Sequence, residues 1–181
     1  MRKSLVISVL LLVPFFILAQ SEKQSKEEKK EQKEKEDLEK MQALYKIVES
    51  RQFVVEANQV FGNTGEIYNV MPSVNYFAVD SSYSTMQLSF NGLIGWNGIG
   101  GITSDGKLDK FDLQELESGK PVTLYGSINS RSGGNVQFTM YVYSSGTANI
   151  TATGNWGNDI TFQGRLFTLA ESKVFKGIPT N

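Results

Sequence analysis

Val136-Gln137-Phe138-Thr139-Met140-Tyr141-Val142-Tyr143 alternates apolar and polar side chains without a break. A period of two puts Val136, Phe138, Met140 and Val142 on one face of an extended strand and Gln137, Thr139, Tyr141 and Tyr143 on the other. Upstream, Val122, Leu124 and Ile128 alternate with Thr123, Tyr125 and Ser127. Downstream, Ala148, Ile150 and Ala152 alternate with Thr147, Asn149, Thr151 and Thr153. Phe53, Val55 and Ala57 open the region in the same way. Strands with one buried face predict antiparallel sheet, because parallel strands are covered on both faces. Gly62-Asn63-Thr64-Gly65, Asp105-Gly106, Ser118-Gly119, Gly133-Gly134, Ser145-Gly146 and the Gly154 to Gly157 stretch fall between these runs and read as hairpin turns. Eight to ten strands fit between Arg51 and Leu169, with no room for crossover helices. The fold class is therefore all-β: an antiparallel up-and-down barrel or a sandwich, preceded by a charged N-terminal helix.

That helix is read from the segment upstream of Arg51. From Gln20 to Lys40, 15 of 21 residues are Lys, Glu or Asp, and acid-first pairs four apart (Glu22/Lys26, Glu31/Lys35, Glu36/Lys40) suit a solvated helix surface. Residues 20–40 are thus a charged spacer, helical or disordered. Leu38, Met41, Leu44, Tyr45 and Val48 form one helical stripe at its end, so residues 41–50 are expected to dock on the domain behind them. Ahead of the spacer, Arg2 and Lys3 precede an uncharged apolar run from Leu5 to Leu18 and a small residue, Ala19. This pattern predicts a signal peptide over residues 1–19 and an exported chain, periplasmic or extracellular, not inserted in the membrane after cleavage. The β-domain occupies residues 51–170, and 171–181 read as a C-terminal tail.

Composition closes several functional classes. The 181 residues include no Cys and no His, which removes thiolate and imidazole nucleophile systems, disulfides, zinc sites of the usual kind and a lipoprotein cysteine. A formal charge of −1 speaks against nucleic acid as a partner. No metal and no cofactor are expected.

The order of features resembles a secreted family of Bacteroidetes proteins known only as a domain of unknown function. The resemblance rests on Glu49-Ser50-Arg51-Gln52-Phe53-Val54-Val55-Glu56-Ala57, on Val74-Asn75-Tyr76-Phe77-Ala78-Val79-Asp80 and on the Gly-rich stretch ending Gly100-Gly101-Ile102. It implies a lipocalin-like barrel topology and carries no activity and no catalytic residues.

Three local patterns invite chemistry. Gly101-Ile102-Thr103-Ser104-Asp105-Gly106-Lys107 has the spacing of a phosphate loop, but Leu108 stands where Ser or Thr must hold magnesium and no helix pattern follows, so a strand end with an Asp-Gly turn is the better reading. Asp105, Asp109, Asp112, Glu115 and Glu117 raise a carboxylate-dependent hydrolase. Asp109 and Asp112 would point to opposite faces of a strand, and an edge strand with solubilising charges accounts for the run. The segment from Asn91 to Thr103, with five glycines around Trp96, suits a lid over a barrel mouth or an irregular plug. Trp156, at a turn, either stands exposed to a partner or folds back to cap the barrel.

The reading that results is an exported, soluble, non-enzymatic β-barrel module that binds a small apolar ligand or an envelope protein. Trp96, Leu124, Phe138 and Met140 are the candidate ligand-lining residues if the inward face encloses a cavity rather than a packed core. An integral outer-membrane barrel, with the apolar face towards lipid, is the third possibility, after the hydrolase.

Overall fold

The computed structural model describes residues 13–62, 65–89, 101–130, 134–157 and 159–174. The chain divides into two compact units, Met1–Glu39 and Lys40–Asn181. The first contains most of helix α1 (Val13–Glu49). Between Lys26 and Glu39 the side chains are exposed, apart from a half-buried Asp37. Lys30 Nζ lies 3.8 Å from a Glu34 carboxylate oxygen, and the Gln32 amide donates to Glu36 at 3.2 Å. Each such exposed pair adds only ~0.2–0.5 kcal/mol, so the helical surface here is held by many small terms. Among the described residues no helix is long and apolar enough to cross a membrane.

In the second unit, the last turns of α1 change character. Met41 and Val48 are buried in the main core, and Leu44, Tyr45 and Ile47 pack against it. The helix stops at a left-handed residue, Arg51, with φ of 56°. Its N–H and that of Ser50 return to the carbonyls of Val48 and Lys46, at 3.1 and 3.0 Å. A non-glycine residue in this conformation costs ~1–2 kcal/mol. The Arg51 guanidinium, stacked 4.4 Å from the centroid of Phe111, offsets part of it.

Nine strands follow among the described residues: β1 (Gln52–Phe61), β2 (Ile67–Asn69), β3 (Tyr76–Asp80), β4 (Tyr83–Ser89), β5 (Gly101–Leu113), β6 (Val122–Ser130), β7 (Gly134–Val142), β8 (Thr147–Thr153) and β9 (Ile160–Thr168). Every pairing is antiparallel. Strands β1 and β3 to β9 pair in chain order, and β9 returns to β1 through partners from Phe53↔Thr168 to Phe61↔Thr161. The result is a closed eight-stranded up-and-down barrel with one extra strand, and the sandwich is excluded because the sheet is continuous around its circumference. Both edges of β1 are occupied over Gln59–Phe61, by β9 and by β2, so β2 and β3 share one edge. Together they form a single return strand interrupted by the excursion Met71–Val74.

Two details depart from the sequence reading. Asp105-Gly106 is not a turn: both lie inside β5, where an added Cβ on Gly106 would run into the Asn129 carbonyl of β6. The glycine serves close strand approach rather than chain reversal. Strand β5 is also not an edge, since β4 and β6 flank it. Its alternating Asp105, Lys107 and Asp109 are solvated because they point outward from a closed wall. The turn after β7 matches its sequence signal: Gly146 has φ of 79° and donates to the Tyr143 carbonyl at 2.8 Å.

Inward positions form one core. Phe53, Phe77, Phe162, Met86, Leu88, Leu124, Ile128, Met140 and Ile150 are all essentially inaccessible. The Phe77 ring lies 4.8 Å from that of Phe138 and 6.2 Å from that of Phe53, centroid to centroid. Strands β3 and β7 are four apart around an eight-stranded ring, so the first of these contacts spans the lumen. Barrels of this size either are just filled by side chains or hold one small ligand. Gly126, directly paired with Phe138, makes room for its ring, which occupies the place a Cβ would take.

A second, smaller cluster sits outside the barrel. Val54 and Tyr76 are covered by Val174, with Ala78 and Leu169 packed around them. Thr168 and Glu171 form a reciprocal box: the Thr168 hydroxyl and N–H donate to the Glu171 carboxylate at 2.8 and 3.2 Å, and the Glu171 N–H returns to the hydroxyl at 3.3 Å. The chain then turns back along β1, where Ser172 Oγ and the Lys173 N–H both donate to Glu56 Oε1, at 3.0 and 3.1 Å.

Candidate functional site

The concavity of interest lies on the outer wall over β5 to β8. Its origin is a bulge in β5. Register shifts between Leu108 and Lys110, so that Leu108, Phe111 and Leu113 turn toward the core while Lys110 and Asp112 turn outward. On β6 and β7 the plain alternation brings Tyr125, Ser127, Asn135, Gln137 and Thr139 to the same outer face. Thr151 and Thr153 of β8, with Asp159 beyond it, form the far wall. The open groove they line, with Gly126 and Phe138 at its floor, has a volume of about 620 Å³.

Polar side chains dominate this groove and several are already oriented. Lys110 Nζ stands 3.6 Å from Asp112, whose other carboxylate oxygen accepts from the Gln114 amide at 2.9 Å. Thr153 donates to Asp159 at 2.6 Å, and the Thr151 and Thr161 hydroxyls lie 3.0 Å apart. At the groove's end, three tyrosines share the outer face: Tyr125, Tyr141 and Tyr143 are 38%, 37% and 42% exposed. Tyr141 is held above the usual phenol range, first by its side-chain hydrogen bond to Tyr125, then by burial and by its charged-state repulsion with Tyr125 and Tyr143. Cross-strand from Tyr141, the Asn149 Oδ1 is buried without a hydrogen-bond partner.

Of the residues singled out from sequence, Asp112 lines this groove and Phe138 backs it from the core side, and the other described ones lie outside it. Leu124, Phe138 and Met140 are inward and part of the core, 0%, 4% and 0% exposed. Trp96 lies outside the described residues, as does most of the Asn91–Thr103 segment; Gly101 to Thr103 begin β5. Trp156 is half-buried against the core, with its Nε1 buried and unpartnered and Gly154 close against its ring. The acidic run Asp105, Asp109, Asp112, Glu115 and Glu117 faces solvent throughout, and Glu117 is paired with Lys120 at 2.6 Å. Among the described residues no group of three or more His, Cys, Asp or Glu side chains could hold a metal ion. Tyr125, Gln137 and Thr139 were visible in the sequence only as the polar partners of the apolar alternation. The concentration of tyrosine on that polar face is the signal in the sequence that could have pointed to the outer wall.

A family model described as a domain of unknown function, DUF4251, matches residues 34–166. The chain belongs to the DUF4251 family. Its fold is similar to the crystal structure of a DUF4251 family protein from Bacteroides eggerthii DSM 20697, with a TM-score of 0.58 and 29% identity over 74% of this chain and 93% of that one. No curated protein matches the chain. The match begins within α1 and ends in β9, so it spans the end of the helix and nearly the whole barrel.

Proposed function

We propose that this DUF4251 chain is an exported, non-catalytic binding module that recognises its partner on the outer wall of the barrel, with the lumen serving as a packed scaffold. The observation that carries this reading is the Phe77–Phe138 contact, which occupies the lumen between opposed strands where a small apolar ligand would sit. The outer groove over β5 to β8 is a concave surface of ligand size, and its side chains present hydrogen-bonding groups. Export is supported by Arg2, Lys3 and the apolar run that follows. An aqueous rather than lipid environment is supported by the outward Lys110, Asp112 and Gln137, since a lipid-facing barrel needs an apolar outer band. The exposed charges between Lys26 and Lys40 suit a solvated spacer.

Methyl-resolved NMR on the chain without its first nineteen residues tests this reading. Titration with soluble cell-envelope extract should shift the Thr139, Thr151 and Thr153 methyls and leave those of Leu124 and Met140 in place. Shifts at Leu124 and Met140 instead would place recognition in the lumen and overturn the proposal. A spectrum unmoved at both sets would remove the binding role.

A further inference from the structure

We infer that the outer groove takes a neutral, linear oligosaccharide, an assignment that rests on the outer-wall reading above. Among the described residues that line the groove, the single ammonium, Lys110, is answered by Asp112, and Asp159 adds a second carboxylate, so these side chains carry more negative than positive charge. Phosphate, sulfate and nucleic-acid ligands require the opposite balance. Among the described residues Phe138 is the one wholly apolar side chain in the lining, too little apolar surface for the lipid and acyl ligands that apolar pockets accept.

What remains is a surface of hydroxyls, amides and carboxylates beside aromatic rings. Hydroxyls and amides both donate and accept, and a carboxylate accepts in several directions, which suits a ligand whose polar groups are themselves hydroxyls. Tyrosine supplies a flat ring for the C–H face of a sugar and a hydroxyl for its rim. Tyr125 stands in the groove wall, and Tyr141 and Tyr143 continue the same outer face. The array is also linear. Asn135, Gln137, Thr139 and Tyr141 succeed one another along the outer face of β7, at intervals of ~7 Å set by the strand rise. From Asn135 to Tyr141 the row spans ~20 Å, long enough for an extended oligosaccharide to run along it.

The test uses cello-, malto-, manno- and chito-oligosaccharide ladders on the chain without its first nineteen residues, followed by calorimetry and by the threonine methyl signals. At least one ladder should bind saturably, more tightly as it lengthens, and with an affinity insensitive to salt. Tyr125→Ala should weaken that binding roughly tenfold, while Tyr125→Phe, which keeps the ring, should retain most of it. Tyr83→Ala removes a more exposed tyrosine on β4, outside the groove, and should change nothing. The inference is overturned by saturable binding that is lost at moderate salt, by binding indifferent to Tyr125→Ala, or by no binding to any ladder. Groove shifts with envelope extract but none with the ladders would leave the outer-wall reading standing with a protein as partner. Shifts confined to Leu124 and Met140 would bring down that reading itself.

Discussion

Replacing Phe77 by alanine tests the packed lumen directly. Phe77 is inaccessible to solvent, touches Phe53 on β1 and reaches across to Phe138 on β7. Losing the transfer free energy of a buried phenyl group costs ~1.5–3 kcal/mol. The surrounding wall is a hydrogen-bonded ring of eight strands and cannot collapse into the gap, so a cavity term adds to this and the total should reach ~3–5 kcal/mol. Against the ~5–15 kcal/mol that holds a domain folded, this is a large fraction. The assay is urea unfolding followed by tryptophan fluorescence, which reports on the barrel through Trp156, packed against the core. The midpoint should fall with the slope unchanged, and Tm should drop by about 10–20 °C. The variant should also gain an apolar cavity, so benzene should raise its midpoint while leaving that of the unaltered chain where it was. A loss below ~1 kcal/mol would refute the reasoning. So would benzene stabilising the unaltered protein, because either result requires a lumen already open beside Phe77.

Three further outcomes follow from particular contacts. Gly126→Ala puts a methyl into the Phe138 ring and 2.9 Å from the Lys110 carbonyl, so urea unfolding should show a loss of ~1–3 kcal/mol from one added carbon. Glu171 has its carboxyl pKa lowered, first by the Thr168 hydroxyl and then by the Thr168 N–H. Its contribution is therefore present above the ordinary carboxylate value and is lost as pH falls through the lowered one. Protection of the Lys173 and Val174 amides, taken relative to the unstructured exchange rate at the same pH, should consequently fall at acid pH, and Glu171→Ala should show the lower protection at neutral pH as well; equal protection in both proteins would contradict it. Tyr141, with its pKa raised chiefly by Tyr125, favours folding while protonated. That contribution holds below the ordinary phenol pKa and is lost as pH rises through the folded one. In an NMR titration that follows the Tyr141 ring, Tyr125→Phe should move the ionisation of Tyr141 to lower pH, and an unchanged curve would remove the Tyr125–Tyr141 bond as its cause.

Much of the wall was legible because alternation is a local property. Val136, Phe138, Met140 and Val142 had to share a face whatever they met, and Leu124, Ile128, Ile150 and Phe53 likewise lie inward as the period of two requires. The reversal at Gly146 was readable for the same reason, since its positive φ depends on a four-residue turn alone. Asp105-Gly106 misled because a glycine needed for close backbone approach has the same letters as one needed for a turn, and the Asn129 carbonyl that decides between them lies on another strand.

What only the tertiary structure decided is everything that joins residues distant in the chain. The sequence by itself determined an all-β, antiparallel, one-face-buried domain behind a charged helix, since those features follow from periodicity and composition. Closure depended on β1 meeting β9, and the filling of the lumen on Phe77 finding Phe138 across it. Val54 reads as an outward strand position, yet it is buried because Val174 is strapped over it through Glu56. The groove arose because a bulge in β5 turned Lys110 and Asp112 to the same side as Tyr125, Gln137 and Thr139. Period-two alternation assigns each side chain to a face; which faces enclose a space is set by curvature and register, which no single strand encodes.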